Sequence, residues 1–291
     1  MNISNFIQTI IERFCSLFKK KSDVVDESNI DSSADVSYNI DDYVQQTVDS
    51  SINSSLMNDS SITPDNETQT TQLMSNYSNI TVLIDAGHAK STGGKRSPYA
   101  SSKVLPALSL YEYEFNRQLQ NVLVKKLNAI GIHTEIITPE NDTDVALSTR
   151  AARANKIISA NPSHHHLFIS IHGNAAGNGT KWMTGRGFAV YTTKGQNNSD
   201  KFAECICDAA EELLIPKGLK VREDKSDGDK DWEENFTVIY KTNCPAILTE
   251  NLFYDNVDDC KVMLSDSGKE LLADVHVKGI VKYIEKYISV K

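Results

Sequence analysis

The sequence predicts an α/β protein: a single mixed, mostly parallel β-sheet flanked by helices on both faces, preceded by a disordered N-terminal region. Two observations locate the globular part. All 14 glycines lie at or after Gly87, and the acidity is displaced toward the front of the chain. Residues 22–79 hold eleven acidic side chains and no Lys or Arg, whereas residues 80–291 are close to neutral, with 27 acidic and 26 basic residues. The third observation is the alternation, from Ile80 onward, of short apolar runs of strand length with longer amphipathic stretches of helical period, the pattern of a sheet covered by crossover helices.

The 291 residues divide into three segments on this reading. Residues 1–21 carry Ile3, Phe6, Ile7, Ile10, Ile11, Phe14, Leu17 and Phe18 at helical spacing, closed by Lys19, Lys20 and Lys21, whose charge suits a helix C-terminus. This is an amphipathic helix that lies on a membrane surface or packs on a partner or on itself. Without a basic leader, an unbroken apolar region or a small-residue cleavage site it does not read as a signal peptide, and Glu12 and Arg13 interrupt any span. Residues 22–79, rich in Ser, Asn, Asp and Thr, bury too little apolar area to offset chain entropy and read as a disordered acidic linker. Residues 80–291 read as the globular domain.

Within that domain residues 80–84 form a strand that breaks at Asp85, Ala86 and Gly87 and delivers His88. A polar loop follows to about Ser109. Residues 113–130 read as a helix ended by Gly131, residues 132–138 as a strand, and residues 143–161 as an Ala-rich helix. Next come LFISIH at 167–172, a strand at 187–192, a helix at 199–214, strands near Thr237 and Ala246, and a final helix at 267–289. The charged run 222–234 reads as a solvated loop with no basic excess, which speaks against a nucleic-acid partner. Five cysteines with no C-x-x-C pair give neither a disulfide framework nor zinc-finger spacing.

Chemistry concentrates where strands end. Parallel strands of an open sheet present their C-terminal ends along one edge, where ligands bind. The strands at 80, 167 and 245 there deliver His88, His172 and Glu250. Two His and a carboxylate, with an open fourth position, make a common catalytic zinc site. Glu112 and Glu114, at the start of the helix after the first strand, both offer the carboxylate, leaving Glu250 as a base. Asn174 either orients substrate or caps a turn, and Arg150 is an ion-pair partner or an anion contact. His164, His165 and His166 read as polar residues entering a strand, and His133 and His276 as residues of regular elements. Trp182 and Trp232 are either sugar-stacking platforms or loop packing.

The segments TVLIDAGH, Glu114-Phe115-Asn116, the Asp144, Leu147, Arg150, Ala154-Asn155 pattern, SIHGNA and PAILTENLFYDN resemble zinc-dependent N-acetylmuramoyl-L-alanine amidases, the family of bacterial autolysins and phage endolysins. The resemblance implies one zinc held by His88, Glu114 and His172, with Glu250 as the catalytic carboxylate. Glu114 is preferred because the family shows an E-x-N step at its ligand. It also implies hydrolysis of the amide between N-acetylmuramic acid and L-alanine of peptidoglycan at the bacterial cell wall; as residues 1–21 do not read as a signal peptide, the wall would be reached by accumulation in the cytoplasm before release, as in phages, or by non-standard export. The alternatives are a related zinc hydrolase of another amide, or a non-catalytic wall-binding protein. Ala89 in place of the usual Gly and Gly173 in place of Ala depart from the family pattern.

Overall fold

A computed structural model describes residues 77–98 and 108–288. The expected N-terminal helix and all but the last three residues of the expected linker (22–79) lie outside the described residues; residues 77–79 form a turn into β1, with Tyr77 buried. Strand β1 (Ile80–Ala86) is followed by helix α1 (Glu112–Ala129), β2 (His133–Ile136), α2 (Leu147–Ala160), β3 (His165–Asn174), β4 (Ala189–Thr192) and α3 (Asn198–Leu214). Then come β5 (Trp232–Glu233), a single turn of helix α4 (Thr237–Tyr240), β6 (Ala246–Phe253), α5 (Val257–Leu264) and α6 (Asp266–Tyr287).

The six strands form one sheet in the order β2-β1-β3-β6-β4-β5. Every pairing is parallel except β4 with β6, so the sheet is mixed and mostly parallel as expected. The central strands are apolar on both faces because both are covered: every residue of β1 is buried. Register sends Leu83, Phe168, Ala246 and Leu248 to one face, where they pack with Ala154 of α2 and with Val238 and Ile239 of α4. Thr249, one residue along, points to the other face and meets His276 of α6 at 3.0 Å. Helices α1 and α3 pack beside α6 on that side.

The run near Thr237 is the one expected strand that is a helix instead. In a strand, Val238 and Ile239 would point to opposite faces; here both enter the same apolar cluster beneath α2, which a helical turn permits. Helix α5 was not expected. Its start is marked by Asn256, whose side chain accepts the Asp258 and Asp259 N–H groups, with two acids in the first turn. Ser265 caps α6 in turn, and Gly268 admits the close approach of the two helices, since a Cβ there would lie 1.9 Å from the Val262 carbonyl oxygen.

A bulge interrupts β6 at the sheet's functional edge. His172 pairs with Glu250, but Asn174 pairs with Phe253, so β6 spends one more residue than β3 over the same span. Leu252 absorbs it with φ of 72°. Asn251 satisfies the disrupted ladder, donating to the carbonyl of His172 at 3.0 Å and to that of Thr249 at 3.2 Å. Beyond the bulge, Asp255 accepts the N–H groups of Ala176 and Gly177, which fastens the segment after β3 to the sheet.

Candidate functional site

The strand ends converge as parallel topology requires. β1 terminates at Ala86, Gly87 turns the chain, and His88 takes the left-handed region with φ of 61°. A non-glycine residue there is uncommon and is held by its surroundings. The ring of His172, from β3, packs directly over Gly87: a Cβ on that residue would fall 2.2 Å from Cε1 of His172. The two imidazoles meet edge to face with centroids 4.9 Å apart.

The carboxylate between them belongs to Glu112. Its Oε1 lies 3.0 Å from His172 Nδ1 and 3.4 Å from His88 Nε2, and accepts the Gly173 N–H at 3.2 Å. Its Oε2 is buried and has no hydrogen-bond partner. Ligands about 2.0–2.1 Å from a tetrahedral zinc stand roughly 3.4 Å apart, and an orphaned carboxylate oxygen beside two imidazole nitrogens fits such an ion. One ligand atom from each of His88, Glu112 and His172 lies within 4.8 Å of the others.

Glu114, the ligand the resemblance implied, is not brought to this cluster. It stands exposed on α1 with the Tyr113 hydroxyl donating to its Oε1 at 2.8 Å. Two residues along a helix turn a side chain through about 200°, so Glu112 and Glu114 cannot face the same point. The expectation is corrected to Glu112. The signal was present in another form: Asn116 is four residues after Glu112 and on the same face, and its amide donates to the carbonyl of Gly87 at 3.0 Å. The carboxylate that stands between the histidines is thus the one in an E-x-x-x-N step, not the one in E-x-N.

Glu250 sits beside His172 through the β3–β6 register and is half-buried, with Oε2 lacking a partner. Burial pushes its carboxyl up to about 7, the Glu112 charge adding to the rise against the pull of His172. Glu112 goes the other way: burial would raise it, but the hydrogen bond and charge of His172, with His88, hold it low. The two acids of the site are thereby driven apart in acidity, which is how one site supplies a constant charge and a proton carrier. Burial takes His88 down to about 4, against the charge of Glu112, and so favours its neutral, donor-ready form. For His172, burial is outweighed by the Glu112 hydrogen bond and charge, which raise it.

Behind the site lies a buried polar network. Arg150, 2% exposed, donates to Asp85 Oδ1 at 2.9 Å and to Asp144 Oδ1 at 2.5 Å. Asp85 also accepts the hydroxyls of Ser170 and Thr138. Asp144 Oδ2, held by the Thr92 hydroxyl, stands 3.9 Å from His88 Nδ1 and so leaves Nε2 turned toward Glu112. Of the two readings for Arg150, the ion pair is the one observed. Asn174 ends β3 with its Oδ1 accepting the Ala175 N–H, the turn-capping arrangement.

The remaining histidines stand apart from the site. His165 opens β3 and His164 meets Thr81 at 2.9 Å, so the tract enters a strand. His133 is exposed beside Glu135, and His276 is buried between Thr249 and the Leu272 carbonyl. Trp232 is stacked by the Arg222 guanidinium, 5.3 Å from its ring centre, in a short edge strand where a loop was expected. Cys205, Cys207, Cys244 and Cys260 are free thiols. No helix among the described residues is long and apolar enough to cross a membrane.

Comparison with known proteins agrees with this architecture. The chain is similar to the endolysin of Bacillus phage SPP1, 28% identical over 210 residues that cover 70% of this chain and 65% of that protein. It is also similar to the N-acetylmuramoyl-L-alanine amidase CwlM of Bacillus licheniformis, 26% identical over 203 residues covering 70% of this chain and 68% of that one. It therefore spans about two thirds of the length of these relatives. Among solved structures, the N-acetylmuramoyl-L-alanine amidase from Clostridium difficile 630 superposes with a TM-score of 0.59 at 25% identity, covering 72% of this chain and 99% of that one. The family model described as N-acetylmuramoyl-L-alanine amidase matches residues 82–282, which takes in both histidines, Glu112 and Glu250. From the first strand to the last helix, the chain belongs to the N-acetylmuramoyl-L-alanine amidase family.

Proposed function

We propose that the chain is a zinc-dependent amidase that hydrolyses the bond between N-acetylmuramic acid and L-alanine in peptidoglycan, in lysis or remodelling of the bacterial cell wall. The observation that carries this reading is the meeting of His88, Glu112 and His172 around one point beside Glu250, in a chain of this family. Those three residues would hold one zinc, which when bound polarises an amide carbonyl and acidifies a water. Glu250, with a carboxyl near neutrality, takes the proton from the attacking water and returns it to the departing amine. Glu112 remains charged throughout. Asn174, at the rim, would contact substrate through its amide NH₂ while its oxygen holds the turn.

The test is digestion of purified peptidoglycan with identification of the released amino terminus. New L-alanine amino termini on intact stem peptides support the reading. A different new terminus would mean another amide is cut, and wall binding with no new terminus would mean a binding protein. Glu250→Gln is expected to retain metal and lose about 10²- to 10⁴-fold in turnover, since an amide cannot carry the proton. Wild-type activity in that variant would refute the role. Residues 1–21 are proposed to attach the domain to an anionic membrane surface or a partner; vesicle flotation that needs those residues separates the two.

A further inference from the structure

At the far end of β4 from the histidines, three carboxylates face one another. Asp200 lies in the first turn of α3, while Asp229 and Asp231 come from the loop that leads into β5. One ligand oxygen from each lies within 4.8 Å of the other two. Asp231 is 1% exposed and Asp200 3%. Each acid spends one oxygen locally: Asp231 Oδ2 accepts the Thr192 hydroxyl, Asp200 Oδ2 the Asn197 N–H, and Asp229 Oδ2 the Gln196 amide at 2.7 Å. The other oxygen, Oδ1, is buried in all three and receives no hydrogen bond.

No counter-charge comes from the neighbouring lysine. Lys230, which stands between two of the acids in sequence, sends its ammonium to Asp208 and Glu211 at 2.6 and 2.5 Å. Buried acceptors without donors are rare and costly, and three carboxylates together add mutual repulsion. Burial, with Asp229 and Asp200 alongside, pushes the Asp231 carboxyl up to about 7. A cation would satisfy all three Oδ1 atoms at once. Of the three acids, Asp231 lines a cavity of about 400 Å³, shared with Tyr191, Lys194, Asp224 and Trp232.

We propose that Asp200, Asp229 and Asp231 form a second metal site, for a hard divalent cation of the calcium type, which fastens the 223–231 loop to α3 and the end of β4. The donor set decides the class: carboxylate and hydroxyl oxygens with no imidazole or thiolate suit calcium and not zinc. The antiparallel setting of β4 against β6 puts this site at the opposite edge of the sheet from His172 and Glu250. Its role is therefore to hold the loop, whose Lys225 to Gly228 stretch is exposed, and not to take part in hydrolysis.

The test uses the full chain, exchanged into calcium-free, zinc-containing buffer. Terbium is added, and its luminescence is read through Trp232, adjacent to Asp231. The expected result is saturation at one ion per chain, displacement of terbium by CaCl₂, and a rise in Tm of about 4 °C or more in about 1 mM CaCl₂. Trypsin cleavage after Lys225 should slow in parallel. Asp229→Asn and Asp231→Asn should abolish all three responses. Asp229 is only partly buried, and its substitution relieves repulsion, so that variant should be at least as stable as the parent without calcium. His172→Ala, which removes a ligand of the first metal, should leave the calcium responses intact. No response in the parent chain, a response that survives both Asp substitutions, or one lost in His172→Ala would overturn the assignment.

Discussion

Gly87→Ala tests whether the fit of β1's terminal turn against His172 determines the site. A Cβ at position 87 would meet Cε1, Nε2 and Nδ1 of His172 at 2.2, 2.4 and 2.5 Å, where ordinary contact begins at 3.4 Å. The ring or the turn must retreat by roughly 1 Å, whereas metal ligands tolerate displacements of about 0.2 Å. Since the ring is also gripped by Glu112, at 3.0 Å, the movement breaks that contact or drags the carboxylate with it. The expected outcome is a folded protein that is destabilised by about 1–3 kcal/mol and binds zinc some 10- to 100-fold more weakly. Zinc affinity by competition with a chromophoric chelator, with thermal unfolding of both forms, gives the two quantities. Unchanged zinc affinity in the Ala variant would refute the reasoning, because it would mean that the ring's position is not set by the bare backbone beneath it.

Three further outcomes follow from the same geometry. Glu112→Gln should release zinc and activity while Glu114→Gln keeps both, as measured by metal analysis of the purified variants; the reverse would restore the E-x-N reading. Arg150→Met leaves Asp85 charged and buried at 0% exposure, so it should cost about 3–5 kcal/mol in denaturant unfolding; a cost under about 1 kcal/mol would refute the buried pair. His276, held near 4 by burial against about 6.5 when unfolded, binds its proton more readily in the unfolded chain. Its contribution to stability is thus complete above about 6.5 and falls away as pH drops toward 4, by on the order of 3 kcal/mol. Unfolding free energies of the parent and His276→Asn at both ends of that window should differ in slope, and equal slopes would refute the assignment.

The sheet and the strand-end groups were legible because each rests on a local rule. Buried parallel strands are continuous apolar runs, as in residues 80–84 and 167–171, and a turn follows where Gly, Asp or Asn interrupts them. His88, His172 and Glu250 could be found because each stands at or just beyond such an end. The choice of Glu112 over Glu114 was within reach of helical geometry, since residues two apart on a helix diverge whereas Glu112 and Asn116, four apart, share a face. The β5–α4 segment was harder. Trp232 and Glu233 make a strand too short to show alternation, and the helical turn at Thr237 runs against the β-propensity of its Val and Ile. The acid triad was invisible in sequence, since Asp200 lies on a helix some thirty residues before the loop that supplies its neighbours.

The extra residue in β6 also determines where this protein tolerates changes in length. Everything downstream of Glu250 is counted from that bulge: Tyr254 N–H reaches the Asn174 carbonyl at 2.9 Å, and Asp255 grips the Ala176 and Gly177 amides. Deleting Asn251 or Leu252 would restore a regular ladder but move Tyr254 and Asp255 one position along and turn each to the opposite face. The segment that follows β3 would then lose its anchor although none of its own residues had been altered. Among homologous sequences, gaps should accordingly be absent between Glu250 and Asp255, and libraries that vary loop length should leave that span intact.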